Sequence, residues 1–349
     1  DLDTCSYMLS QISQPDFKEM TKESLPSHIT FGGEEGVPNI IVFDFGVCEN
    51  NQNEMIPMLI EMQGFPSLFG FQTLMDEAIS ASNWIPDGFS TYLNGYSKEN
   101  YLQILKQVLI GNYSPKEVIL LEWKPTDQKT YIDFVCTKNY LGIETVCITE
   151  LMSDGRKIFY RRDGIDITVK RIFNRVIFDD LQKEDILNCI SLDKEYDVEW
   201  VVHPNWYYRI SKYLIPFLQH EYVPEGFFLH ELMQPVNLEE YVLKPLFSYG
   251  GQGVQMQVTQ ELIDQIEHPD QWILQKKVKY AEVIETPDIP AKAEIRLFYF
   301  WKDGEERPYP ANNLGRLSKG KMIGVRYNKD KEWVGGSFCY FEKTEPKVK

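Results

Sequence analysis

Tyr241-Val-Leu-Lys-Pro-Leu-Phe-Ser-Tyr-Gly-Gly-Gln-Gly-Val254 begins as a strand that carries Lys244 and ends in a turn built on Gly250, Gly251 and Gly253. Glycines let backbone N–H groups converge on phosphate oxygens without interference from Cβ, and the lysine adds a compact cation within reach. Tyr249, Gln252 and the three glycines are therefore candidate phosphate-covering residues. The same turn could merely join two strands. It lacks the G-x-x-x-x-G-K-[ST] order of a Walker A loop, so a different kind of cradle is expected.

Downstream, Trp272-Ile-Leu-Gln-Lys-Lys-Val278, Ala293 to Trp301, Lys321 to Arg326 and Gly336 to Phe341 read as strands, which makes the last third β-rich. Alternation within Ala293-Glu-Ile-Arg-Leu-Phe-Tyr-Phe-Trp301 puts Glu294 and Arg296 on one face, where a surface ion pair is an equal alternative to a ligand contact. Upstream, a helix from Tyr207 to Gln219 carries Lys212.

Near the start, Asn39-Ile-Ile-Val-Phe-Asp-Phe-Gly46 and Met55-Ile-Pro-Met-Leu-Ile-Glu-Met-Gln63 form a hairpin with a long polar connection. Antiparallel neighbours of this kind can bring Asp44 beside Glu61, and period-two alternation aligns Gln63 with Glu61. Leu68 to Ser82 and Ser97 to Leu109 have helical spacing. Lys116 to Glu122, Thr130 to Tyr140 and Ile143 to Ile148 then alternate strand, helix, strand, which implies a parallel sheet. Asp163-Gly164 marks a tight hairpin, after which Val169 to Ile177 carries Arg171, Asn174 and Arg175 at polar positions.

At 349 residues the chain is long enough for two or three packed modules, and its net charge of −16 argues against a nucleic-acid partner. No apolar run of membrane-spanning length and no signal peptide is seen, so no membrane partner and a cytoplasmic location are expected. Cys5, Cys48, Cys136, Cys147, Cys189 and Cys339 form no C-x-x-C pair and read as reduced thiols. The five histidines form no cluster, so any metal should be held by oxygen.

The Leu-Lys-Pro strand end followed by the glycine turn resembles the phosphate-covering loop of the ATP-grasp superfamily. The resemblance implies ATP and Mg²⁺ as cofactors. It makes Lys212 and Lys244 the phosphate-contacting lysines, and it makes Gln275, Lys276 and Val278 the strand against the adenine edge. It also sets Arg296, Asn313 and Arg316 near the reacting phosphate, the last two in Ala311-Asn-Asn-Leu-Gly-Arg-Leu-Ser318. An exposed helix lysine is an equal reading of Lys212.

ATP-grasp sites take Mg²⁺ on an Asp and a Glu-x-Asn from adjacent strands, because a hard cation wants oxygen. No such pair follows Arg316, whereas Asp44, Glu61 and Gln63 supply one at the other end of the chain, with Gln63 where Asn is usual. That order resembles the circularly permuted ATP-grasp proteins of the glutathionylspermidine synthetase type. The implied fold is α/β (α+β). Residues 1–67 would hold the permuted metal strands, 68–195 a β-α-β preATP-grasp-like substrate domain, and 196–349 the nucleotide-binding subdomains. The implied reaction is carboxylate-amine ligation through an acyl phosphate, with small-molecule acid and amine as partners and Arg171, Asn174 and Arg175 reaching the second substrate. A regulatory nucleotide-binding protein and a non-nucleotide interaction scaffold are the alternatives.

Overall fold

Ile40-Ile-Val-Phe-Asp-Phe is buried on both faces, as an inner strand with layers above and below must be. The computed structural model describes residues 2–82, 84–181, 190–248, 250–324 and 327–343, so Tyr249 and Cys189 lie outside the described residues. Helices α1 (Leu2–Ile12) and α2 (Phe17–Met20) precede β1 (Ile40–Glu49) and β2 (Met55–Gln63), which pair antiparallel with Asp44 opposite Glu61. A register shift between Asp44 and Phe45 marks a bulge at that point.

The chain continues through α3 (Phe69–Ser80), β3 (Phe89–Ser90) and α4 (Lys98–Ile110), whose first turn is closed by a Ser97 capping box. Strand β4 (Val118–Glu122), helix α5 (Tyr131–Leu141) and strand β5 (Glu144–Cys147) form the parallel unit that their alternation predicts. A meander follows, β6 (Met152–Asp154), β7 (Lys157–Arg162) and β8 (Ile165–Val169), with Asp163 and Gly164 both at positive φ in its tight turn. The chain then re-enters the parallel sheet as β9 (Arg171–Asn174) and β10 (Glu199–Trp200), giving the order β10-β9-β4-β5.

Two short pieces, α6 (Asn205–Arg209) and a 3₁₀ turn over Lys212–Phe217, replace the single helix expected from Tyr207 to Gln219. Ser211 caps Tyr213 between them, and Pro216 lacks the N–H that a longer helix needs. Strands β11 (Gly226–Phe228), β12 (Tyr241–Pro245), helix α7 (Gln260–Asp264) and strand β13 (Trp272–Lys276) build a three-stranded sheet with β13 in its centre. The chain closes with β14 (Lys292–Phe300), β15 (Tyr309–Ser318), β16 (Gly335–Ser337) and β17 (Phe341–Glu342). Of the strand expected at Lys321 to Arg326, the described residues 321–324 form bends instead.

The largest sheet has the order β16-β15-β14-β1-β2, so strands from the two ends of the sequence lie side by side. Its main core, which includes Phe43, Phe69, Tyr101, Phe298 and Phe300, joins that sheet to α1, α3 and α4. A second core, around Ile119, Leu121, Ile172 and Tyr160, lies between the parallel sheet and the meander. Cys5, Cys48 and Cys136 are buried free thiols, and Cys147 and Cys339 are half-buried ones. Among the described residues no helix is long and apolar enough to cross a membrane.

Candidate functional site

Period-two alternation loads one face of the large sheet with charge: Arg316 on β15, Glu294 and Arg296 on β14, Asp44 on β1 and Glu61 on β2. Asp44 is fully buried. Arg296 Nε and Nη2 donate to its two oxygens at 2.7 Å each, and Arg316 Nη2 stands 2.8 Å from its Oδ2. These guanidinium charges outweigh burial and hold the Asp44 carboxyl down at about 2. Arg316 also pairs with Glu294, whose other oxygen accepts from the Tyr280 hydroxyl at 2.9 Å. Burial nevertheless pushes the Glu294 carboxyl above its ordinary value. Gly46 makes this possible, because a Cβ there would stand 2.7 Å from the Tyr280 ring.

Lys244 and Lys212 bring two ammonium groups to the same cleft. Lys244, on β12, donates to Gln275 Oε1 at 2.5 Å, and Lys212, in the 3₁₀ turn, donates to Ser248 O at 2.7 Å. Lys212 is buried and Lys244 half-buried, and both acceptors are neutral. Desolvation, reinforced by the Lys212 charge, pulls the Lys244 ammonium down to about 8. Desolvation likewise lowers Lys212, and Glu61 opposes the shift in both.

Beyond Lys244 the chain loops out and returns to pair Gln255 with Leu243. Gly250, Gly251 and Gly253 all sit at positive φ, and a Cβ on Gly253 would stand 2.6 Å from Pro245 Cγ, so glycine is required there. Gln252 is exposed between them, and the Tyr327 hydroxyl reaches Gly251 O at 3.3 Å.

The donor set for Mg²⁺ divides in two. Glu61 is half-buried; its Oε1 accepts from Gln63 Nε2 at 2.5 Å and lies 3.9 Å from Arg296 Nη2, which leaves Glu61 Oε2 and the Gln63 amide oxygen as the donors for a cation. One carboxylate supplemented by substrate phosphates is an ordinary Mg²⁺ site. Asp44 does not fit that role in this arrangement, because guanidinium groups take both its oxygens. Among the described residues no group of three His, Cys, Asp or Glu side chains is arranged to hold a metal.

Several expected residues lie elsewhere. Asn313 faces away from Arg316, since an odd spacing along a strand reverses the face. Its amide instead ties β15 to Thr91 and Cys339. Lys276 points outward toward Glu240 at 3.9 Å, and Val278 lies past the end of β13. The backbone N–H groups of Lys276 and Lys277 already donate to Glu225 O and Glu240 O.

Arg171 is buried at the amino end of β9 and engages Glu199, Asp303, Asn39 Oδ1 and Val108 O, away from the cleft. Asn174 and Arg175 are buried at the opposite, carboxyl end. Arg175 Nη1 donates to Phe65 O and Pro66 O at 2.8 and 2.9 Å, and its guanidinium lies over the Phe65 ring.

That carboxyl end contains a residue that no sequence pattern singled out. Glu122, the last residue of β4, is buried next to Arg175, and burial pushes its carboxyl up to about 7. β4 leads to β5 on one side and β9 returns on the other, so Glu122 and Asn174 flank a topological switch point, where open α/β sheets bind ligands. Asn174 Nδ2, Arg175 Nε and Trp123 Nε1 are buried near this edge without a hydrogen-bond partner among the described residues, Arg175 beside Glu122 and Trp123 against the second core. Arg175 also feels the Arg296 charge, so this edge lies within electrostatic range of the charged face. The only sequence signal for Glu122 was an acid closing an otherwise apolar strand.

No protein-family model and no curated protein matches the sequence. Among solved structures, a glutathione synthetase-like effector from Globodera pallida, in its apo form, is similar over 90% of this chain and 83% of that one, with a TM-score of 0.54 and 11% identity. At that identity the likeness concerns fold alone: the two chains share a mixed α/β architecture.

Proposed function

We propose that this chain is a circularly permuted ATP-grasp ligase that joins a carboxylate to an amine at the expense of ATP. The observation that carries the reading is the pair of ammonium groups, Lys212 buried and Lys244 half-buried, each held by a neutral acceptor beside a loop whose three glycines sit at positive φ. Desolvated cations are costly unless an anion completes them, and a triphosphate is an anion that two ammonium groups and a glycine loop can hold. The pairing of β1 and β2, first in sequence, with β14 supports the permuted reading.

In this reading the acid lies where Arg296 and Arg316 meet the end of the triphosphate, and its oxygen attacks the γ-phosphorus as ADP leaves. The amine then attacks the acyl phosphate carbon and inorganic phosphate departs. Positioning and charge neutralisation supply the rate, so no nucleophilic side chain is needed. Bound by Glu61 and Gln63 with the phosphates, Mg²⁺ would neutralise developing charge. The carboxyl-edge crevice offers a carboxyl group, Glu122, and unpaired N–H donors on Trp123, Asn174 and Arg175. That combination suits an amphoteric acceptor, an amino acid or a short peptide.

A screen of amino acids and peptides with ATP and Mg²⁺ should release ADP only when both acid and amine are present, and Glu61→Gln should abolish the release. Release undiminished in Glu61→Gln would refute the assignment. Nucleotide binding without turnover is a second reading, favoured by the enclosure of Asp44, and it predicts calorimetric binding of Mg·ATP with no ADP from any pair.

A further inference from the structure

The charged face presents a pattern that a metal-dependent phosphoryl-transfer site does not require. Asp44 and Glu294 are buried carboxylates on neighbouring strands that repel one another, since each raises the cost of ionising the other. In a cleft that binds phosphate, two such acids usually share a divalent cation. Here the Arg316 guanidinium lies between them, 2.8 Å from Asp44 Oδ2 and paired with Glu294 Oε1. All four carboxylate oxygens already accept from N–H or O–H donors: Arg296 Nε on Asp44 Oδ1, Arg296 and Arg316 on Asp44 Oδ2, Arg316 on Glu294 Oε1 and the Tyr280 hydroxyl on Glu294 Oε2. A dication placed on Asp44 would face two guanidinium charges at hydrogen-bond range from the same oxygens, and one placed on Glu294 would face that of Arg316.

The position is also built rather than incidental. Register sets Glu294 directly opposite Arg316 and Asp44 directly opposite Arg296, so two antiparallel pairs fix the four groups on one face of the sheet. Gly46 leaves room for the Tyr280 ring to reach Glu294. A planar guanidinium spans two carboxylates with fixed donor directions, which a flexible ammonium does not.

We infer that Arg316 stands in place of a divalent cation between Asp44 and Glu294, so that the metal of this cleft is held by Glu61 and Gln63 without Asp44. The inference rests on the proposed nucleotide site but concerns only which cation neutralises which acid. It predicts that the chain takes one divalent ion where two acidic strands would suggest a pair.

Mn²⁺ is the probe, because it binds the same hard oxygen donors and reports its free concentration by electron paramagnetic resonance. In the unaltered chain with a non-hydrolysable ATP analogue, one Mn²⁺ should bind. Asp44→Asn should change its affinity by less than about threefold and Glu61→Gln should weaken it by about tenfold or more. Arg316→Met, which frees Glu294 Oε1 and leaves Asp44 paired with Arg296 alone, should gain an Mn²⁺ equivalent in the absence of any nucleotide, and Glu294→Gln added to it should remove that gain. Melting curves verify that each variant is folded. If Asp44→Asn does not fold, the Arg316→Met pair decides alone.

Two Mn²⁺ ions in the unaltered chain, or a tenfold loss of Mn²⁺ affinity in folded Asp44→Asn, would overturn the inference, as would a folded Arg316→Met that gains no ion. Failure of the nucleotide reading looks different. The analogue would then not bind at all, while nucleotide-free Mn²⁺ titrations would still show whether Arg316→Met gains an ion.

Discussion

The charged face of the large sheet and the carboxyl edge of the parallel sheet come within electrostatic range at Arg296 and Arg175, yet they treat buried polar groups in opposite ways. On the charged face the acids are saturated, every oxygen of Asp44 and Glu294 accepting from a donor, although Arg316 Nε is buried there without a partner among the described residues. At the carboxyl edge, Asn174 Nδ2, Arg175 Nε and Trp123 Nε1 lack partners among the described residues, and the Glu122 carboxyl is pushed up by burial with Arg175 too weak to offset it. An unsatisfied buried donor costs about 1–3 kcal/mol, so a fold retains several in one place where a ligand completes them. The contrast separates a pre-organised electrostatic wall from a crevice that awaits its occupant.

The largest effect on this contrast is expected at Asp44. Asp44→Asn leaves two buried guanidinium groups facing a neutral amide and should cost about 3–5 kcal/mol in chemical denaturation, the penalty of stranding a buried charge. Because the folded carboxyl is held at about 2, its contribution is fully present above the ordinary Asp value and is lost as pH falls through about 2. A neutral outcome at pH 7 would mean that the wall is not saturated as described.

Lys244→Met should act in two directions. It removes a desolvated cation, so the ligand-free protein should melt higher. Nucleotide-analogue affinity should drop about thirtyfold, equivalent to about 2 kcal/mol for a charged hydrogen bond. Loss of stability without loss of affinity would place the anion elsewhere.

The same lysine predicts a pH profile. Its ammonium titrates at about 8 in the free protein, so the binding-competent fraction falls as pH rises, and analogue affinity should weaken by about tenfold between pH 7 and pH 9. In Lys244→Met the profile should be flat across that window.

The smallest effect belongs to the open crevice. A Glu122 carboxyl raised to about 7 binds protons in the folded state that the unfolded chain has released, so it costs stability as pH rises from the ordinary Glu value through about 7. Glu122→Gln should therefore stabilise the ligand-free protein by at least about 1 kcal/mol at pH 8 and by nothing below the ordinary Glu value. The substitution should also weaken capture of the amine substrate.

Alternation and glycine chemistry made part of this legible from the sequence. Asp44 does sit opposite Glu61, and Lys244 does precede a loop that needs its glycines. Arg171 misled because an arginine on a parallel strand covered on both faces is buried and paired, not displayed. Asn313 failed on parity, three residues from Arg316 and thus on the other face. Glu122 escaped notice because its meaning depends on the order of strands, which no local pattern carries. The break at Ser211 and Pro216 likewise put Lys212 on a 3₁₀ turn, where its ammonium is buried instead of lying on a solvated helix.

Whether the two lysines bind a nucleotide is decided by calorimetric titration of a non-hydrolysable ATP analogue, with Mg²⁺ present, into the unaltered chain and into Lys244→Met. Saturable binding at one site is expected in the unaltered chain, weakened about thirtyfold in the variant. No heat of binding in the unaltered chain, or equal affinity in both, would contradict the assignment of that cleft to ATP.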